Sequence, residues 1–213
     1  MMLDYKNIFS LKFSYSQRKK QIQERLIFFK SIFLQDEKII FAELCFCLLT
    51  PQSKARSCDL AVKQLLKTNF LYSGTCEQIK SCLKGVRFHN NKARYIFEAR
   101  TLFYGSLKTK ILTFKDYDSL RSWLVEHVKG IGYKESVHFM RNIGIFSGLA
   151  ILDRHILKNL VKYGVLATLP KNLNRKNYLK IEKKMKNFAL VVGISMEELD
   201  LLFWSEETGE VFK

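Results

Sequence analysis

Apolar residues recur along most of the chain at intervals of three and four, the period of a helix with one buried face, and stretches of strict alternation are scarce. From Ser16 to about Leu34 the pattern predicts a basic amphipathic helix with Ile22, Leu26, Phe29, Ile32 and Phe33 on one side. Asp36 is placed to cap the next helix, which runs through Ile39 to Leu49 and is apolar enough to be buried nearly all round. Thr50-Pro51 ends it, because the residue before a proline resists the helical region. Further helices are expected from Ser53 to about Lys67, from Thr75 (a capping box with Gln78) to Leu83, from Asn90 to Phe103, and from Asp118 to Lys129. Beyond Gly132, Val137, Met140 and Ile143 share one face. Arg154 to Tyr163 is stopped at Gly164, and Arg175 to about Val192 at Gly193. Ser195 with Glu198 opens a last helix that ends near Ser205. The fold class is read as all-α.

Composition narrows the partners. At 213 residues and 47% hydrophobic, the chain has enough apolar side chains for one core or two small lobes. Its net charge of +16 calls for a polyanion, nucleic acid before an anionic membrane. Between Arg154 and Lys186 stand ten Lys/Arg and one acidic residue, a density suited to a phosphate backbone. No apolar run approaches a bilayer span and no signal-peptide pattern is present, so no membrane association and an intracellular, cytoplasmic setting are expected. The five cysteines, an odd number, read as reduced thiols. Cys76 and Cys82 with His89 are poorly spaced for a metal, and His89, His138 and His155 offer no three-ligand spacing; neither metal nor cofactor is expected.

The stretch richest in chemistry runs from the Gly130-Ile131-Gly132 turn to Asp153. Two glycines around one aliphatic make a tight turn whose uncovered amides, at the mouth of a helix, suit a DNA phosphate. Lys134 lies in the first turn of that helix, where the dipole disfavours its charged form and favours a nucleophilic amine. Asp153, between Leu149-Ala150-Ile151-Leu152 and Arg154-His155, reads as an N-cap. Singly each feature is ordinary: a turn, a solvated lysine, a cap. Their order and spacing are distinctive.

GIGYK followed by ILDRH resembles the helix-hairpin-helix DNA glycosylases that have a catalytic lysine and a downstream aspartate. FAELCFCLLTPQSKA, VRFHNNKARYIFEAR and a chain end of Trp204 followed by a terminal lysine resemble the small 8-oxoguanine DNA glycosylase/lyases of archaea and some bacteria. The resemblance implies a single catalytic unit over 1–213. It would have two helical lobes, 37–130 and 1–36 plus 131–213, with the hairpin at the cleft between them. It implies Lys134 as nucleophile, Asp153 as its carboxylate partner, and Gly130, Ile131 and Gly132 as phosphate binders. Gln52 would fill the gap left by a flipped base. Trp204 and Lys213 would meet the damaged base, Lys213 with its terminal carboxylate. The expected partner is double-stranded DNA containing 8-oxoguanine, and the expected state a monomer. Two other readings stay open: a helix-hairpin-helix glycosylase for another lesion, and a non-catalytic module that uses the hairpin for phosphate alone.

Overall fold

The structure is a computed structural model that describes residues 5–103 and 105–213, the side chains of Tyr5 and Lys6 apart. The first four residues of the expected 1–36 segment lie outside the described residues. Among those described there are twelve helices and no strand, as the apolar period requires.

The chain divides into two compact units. One comprises residues 31–143. Its centre is α2 (Glu37–Leu49), capped by Asp36, whose side chain accepts from the Lys38 amide. Every residue from Ile40 to Leu49 is buried. Around it stand α3 (Ala55–Lys67), α4 (Phe70–Ser73), α5 (Cys76–Cys82), α6 (His89–Phe103), α7 (Leu107–Leu112), α8 (Tyr117–His127) and α9 (Tyr133–Asn142). The Thr75–Gln78 capping box is present. Asn142 of α9 donates to the buried Glu43 of α2 at 3.0 Å, so the second hairpin helix is tied to the central one.

The other unit comprises residues 1–30 and 144–213. It holds most of α1 (Tyr5–Ile32), with α10 (Arg154–Lys162), α11 (Arg175–Val192) and α12 (Met196–Thr208). Ile22 and Phe29 of α1 are buried as expected, while Ile27 and Phe28 remain exposed. The acidic residues of α12 turn inward. Tyr15 donates to Glu198 at 2.6 Å, and both Lys162 and Tyr163 donate to Glu206.

Some expectations shift. α1 begins at Tyr5 rather than Ser16, and α12 continues to Thr208. α8 is capped by Asp116, not opened by Asp118, because the Asp116 side chain accepts from the Ser119 amide and hydroxyl. The lobe border read from the sequence at 130/131 cuts the hairpin, whereas the contacts group both hairpin helices in one unit that ends at Ile143. Among the described residues no helix is long and apolar enough to cross a membrane.

Candidate active site

The hairpin between α8 and α9 is fixed by one steric demand. Gly130 has φ +90, a region that residues with a Cβ rarely enter. A Cβ there would also lie 2.4 Å from a ring carbon of Tyr95. Gly132 is under less constraint: its φ is −108, and an added Cβ would meet only the Glu135 carboxylate, at 3.1 Å. Ile131 anchors the turn with a buried side chain, and its amide donates to the Val128 carbonyl at 3.1 Å. That amide is therefore occupied, which narrows the expected anion site to the amides of Gly130 and Gly132 at the N-terminus of α9.

Lys134 follows in the first turn of α9. Its side chain is only 20% exposed, with Nζ 3.7 Å from the Glu135 carboxylate, itself 16% exposed. A first-turn lysine with no function would ordinarily reach into water; this one is largely enclosed.

Beside the hairpin, in the same unit, is the Thr50–Ser53 turn. Ser53 donates its amide to the Thr50 carbonyl at 3.0 Å, with Pro51 and Gln52 at the corners. Gln52 has φ +54 and an exposed side chain. Such backbone costs a non-glycine residue roughly 1–3 kcal/mol and persists only where its surroundings enforce it. Under the turn lies Lys92, 4% exposed. Its ammonium donates to the carbonyls of Leu49 and Pro51, each at 2.7 Å, and to the Ser53 hydroxyl at 3.0 Å. Burial, then the nearby Arg87, holds the Lys92 pKa below the ordinary lysine value, against the opposing pull of Cys58 and Glu135. Cys58 donates to the same Leu49 carbonyl. Burial pushes its thiol up to about 11 despite the positive charges of Lys92 and Lys134, so it is uncharged at neutral pH. Lys92 and Cys58 thus share the Leu49 carbonyl beneath the turn, and Lys134 lies near enough for its charge to reach the Cys58 thiol.

Asp153 stands in the other unit as the N-cap of α10. One oxygen, Oδ1, accepts from both the His155 and Ile156 amides at 2.8 Å, and the second takes no hydrogen bond among the described residues. The extended stretch before it is held from α11. Glu182 accepts from the Ala150 amide at 2.8 Å, and the Tyr178 hydroxyl bridges the Ala150 carbonyl and the Leu152 amide. The same unit carries Trp204 on α12, half-buried, with the His155 ring edge-on at 6.4 Å and the Phe212 ring at 6.3 Å. Phe212 is buried, so the tail folds back onto α12 after Gly209, whose φ of +83 makes the turn. Lys213 is half-buried. All ten basic residues between Arg154 and Lys186 are exposed, and the one acidic residue among them, Glu182, is buried.

Residues 22–194 match the family described as 8-oxoguanine DNA glycosylase, of the helix-hairpin-helix type. The chain belongs to the 8-oxoguanine DNA glycosylase family. It is 44% identical over 204 residues to an 8-oxoguanine DNA glycosylase/AP lyase of Fusobacterium nucleatum, covering 93% of this chain and 94% of the relative. The fold is similar to that of the Methanocaldococcus jannaschii 8-oxoguanine glycosylase/lyase in a crystal structure with a 15mer DNA containing 8-oxoguanine. That likeness has a TM-score of 0.87 at 35% identity and covers 98% of each chain. The 8-oxoguanine DNA glycosylase of Thermotoga maritima is similar at TM-score 0.86 and 32% identity, over 97% of this chain and 98% of that one.

In this 8-oxoguanine glycosylase, reading the sequence missed Lys92, Tyr178 and Glu182. Each holds the backbone beside a candidate site residue far away in sequence, and the only local sign was a charged or polar residue on an otherwise apolar helix face. His138 is buried, with its ring edge-on to Phe46 at 5.6 Å, and packs in the core of its unit.

Proposed function

We propose that Lys134 is the nucleophile and Asp153 the charge-stabilising carboxylate of this base-excision-repair enzyme, a bifunctional 8-oxoguanine DNA glycosylase/AP lyase that binds DNA. One observation carries the assignment: Lys134 is an enclosed amine two residues past a glycine turn in a chain of this family. The open oxygen of Asp153 supports its half of the reading.

The target nucleotide has to leave the stack before any group can reach its sugar. Neutral Lys134 then attacks C1′: the new C–N bond forms as the bond to the base breaks, and that electron pair departs with the base, which takes up a proton. Asp153 offsets the positive charge that builds on the sugar as the base leaves. The sugar ring opens to an imine on Nζ. A proton lost from C2′ pushes electrons toward C3′, the bond to the 3′ phosphate oxygen breaks, and water later releases the lysine. An amine nucleophile thus explains base removal and strand cleavage together.

The surrounding residues have matching roles. The Gly130 and Gly132 amides, over the buried Ile131, hold a backbone phosphate, and the exposed basic residues of α10 and α11 add sequence-independent affinity. Gln52 fills the gap left in the duplex. Trp204 stacks on the extruded purine, a contact worth about 1–3 kcal/mol, and Lys213 meets its edge. 8-Oxoguanine has a donor where guanine presents the N7 acceptor, so the pocket has to supply an acceptor. The substrate is double-stranded DNA containing 8-oxoguanine, and the protein works as a monomer alongside the genome in the cytoplasm.

A strand-cleavage panel tests this reading, with duplexes that carry 8-oxoguanine, thymine glycol, uracil or an abasic site. Release of 8-oxoguanine with nicking is expected. Base release without nicking would remove the amine mechanism, and a stronger response to thymine glycol would point to another lesion.

A further inference from the structure

Lys92 belongs to no part of the chemistry described above, yet the structure places a buried ammonium under one exposed turn. An ammonium has three donors. All three are used, on the Leu49 carbonyl that ends α2, the Pro51 carbonyl and the Ser53 hydroxyl. These acceptors bracket Gln52 on both sides. Ser53 Oγ accepts a second hydrogen bond at 3.0 Å, from the Arg87 amide, which fastens the loop leading into α6 to the same turn. The Lys92 amide donates to the Phe88 carbonyl at 3.0 Å, the hydrogen bond that opens α6, so Phe88 is the corner at which this loop enters the helix. Gln52 and Phe88 have φ +54 and +57, and both side chains are exposed.

Two strained corners that present side chains outward are therefore joined through the Ser53 hydroxyl, which the buried Lys92 ammonium holds from beneath. Exposed turns of this length need no internal cation to close, because the Ser53 to Thr50 hydrogen bond already closes this one. Burying a lysine is unfavourable unless every donor is satisfied. The arrangement makes sense if the turn has to keep Gln52 in its left-handed conformation against a load. Wedging into a base stack is such a load, since the stack tends to close again once the nucleotide has left it.

We propose that Lys92 is a positioning residue for base extrusion: it locks the Gln52 turn and the Phe88 corner into one rigid element that holds the duplex open. This rests on the reading that Gln52 fills the gap, and the test separates the two. It takes no part in bond making at C1′, so its loss affects the steps that need an opened duplex and leaves the amine chemistry intact.

The test compares Lys92→Met, Ser53→Ala and Gln52→Ala in the full chain on two substrates: a duplex with 8-oxoguanine, and a single-stranded oligonucleotide with a preformed abasic site. The single strand has no stack to open and no gap to fill. A 2-aminopurine next to the lesion in the duplex reports unstacking by its fluorescence. For Lys92→Met the expected result is a loss of duplex excision of about tenfold or more and a weakened fluorescence rise, with single-strand cleavage within about twofold of the parent. Ser53→Ala, at a half-exposed turn position, should move both readouts the same way by a few-fold. If Lys92→Met does not fold, the Ser53→Ala result decides. Equal losses on both substrates would mean that Lys92 only supports the fold around Lys134 and would overturn the proposal. A selective duplex defect in Gln52→Ala but in neither Lys92→Met nor Ser53→Ala would overturn it while sparing the Gln52 reading. No selective defect in Gln52→Ala would remove the Gln52 reading and, with it, this one.

Discussion

Lys134 and Asp153 are held by opposite means. The turn before Lys134 takes its shape from what cannot fit: Gly130 at positive φ, pressed against the Tyr95 ring, and Ile131 buried beneath it. The stretch before Asp153 takes its position from polar groups that reach in, Glu182 and Tyr178 from α11, and the cap closes on two amides. Around it, Glu206 and Glu198 bind α12 to α10 and α1. The hairpin should therefore be sensitive to added volume and indifferent to charge. The Asp153 unit should tolerate shape changes better and respond to protonation.

The largest effect expected is on catalysis at Asp153. Asp153→Asn keeps an oxygen that can cap α10 but loses the charge. Excision of 8-oxoguanine should fall by about 10²–10³-fold with little change in thermal unfolding. Asp153→Ala should lose a similar activity and also roughly 1 kcal/mol of stability, the usual value of a cap. Full activity in the Asn variant would leave Asp153 with the cap alone.

Next comes volume at the hairpin. Gly130→Ala meets both positive φ and the Tyr95 ring and should lose roughly 1–3 kcal/mol, read from a urea unfolding midpoint. Binding to lesion and undamaged duplexes should weaken alike, because phosphate contacts carry no sequence information. Gly132→Ala, at φ −108 with only a mobile carboxylate in the way, should stay close to the parent in stability. Equal stability losses in the two would erase the contrast between a steric turn and its neighbour.

A smaller, more selective effect is expected at the tail. Deletion of Lys213 should reduce 8-oxoguanine excision several-fold more than cleavage at a preformed abasic site, because no damaged base has to be held there. An unchanged ratio of the two activities would reduce the tail to packing against Trp204.

The smallest effect concerns pH. Burial raises the Glu206 pKa, but the hydrogen bond from Lys162, those from Ser14 and Tyr163, and the Lys162 charge outweigh it, so the group is held below the ordinary carboxyl value. A carboxyl that is more acidic in the folded state stabilises the fold above its unfolded pKa, near 4.3. This contribution is lost as pH falls through the lower, folded value. Glu206→Gln should therefore be less stable than the parent at pH 7, with the difference shrinking as both are titrated below pH 4. A pH-independent difference would show that Glu206 acts by packing.

What could be read from the sequence was local. Asp36, the Thr75–Gln78 and Ser195–Glu198 boxes, and the glycine stops at 164 and 193 specify their helix ends within a few residues, and each stands where expected. The glycine turn with Lys134 was legible for the same reason. α4 and α7, of four and six residues, are too short to show a period. The early start of α1 was hidden because Leu11 is buried in its first half while Phe9 and Phe13 beside it are exposed, so apolar residues there do not mark one face. Lys92 could not be foreseen, because its acceptors lie about forty residues earlier in the chain and are mostly backbone carbonyls, which every residue has. The pairing of Glu206 with Lys162 is equally remote, and nothing local in α12 marks Glu206 and Glu198 as tied inward.

Borohydride trapping addresses the nucleophile most directly, since it reduces the imine and leaves the protein covalently joined to its DNA. With 8-oxoguanine duplex, the parent chain and Lys129→Gln should both form the cross-linked species. Lys134→Gln should form none while still binding the duplex. Trapping that survives in Lys134→Gln and disappears in Lys129→Gln would move the nucleophile to Lys129 and contradict the assignment.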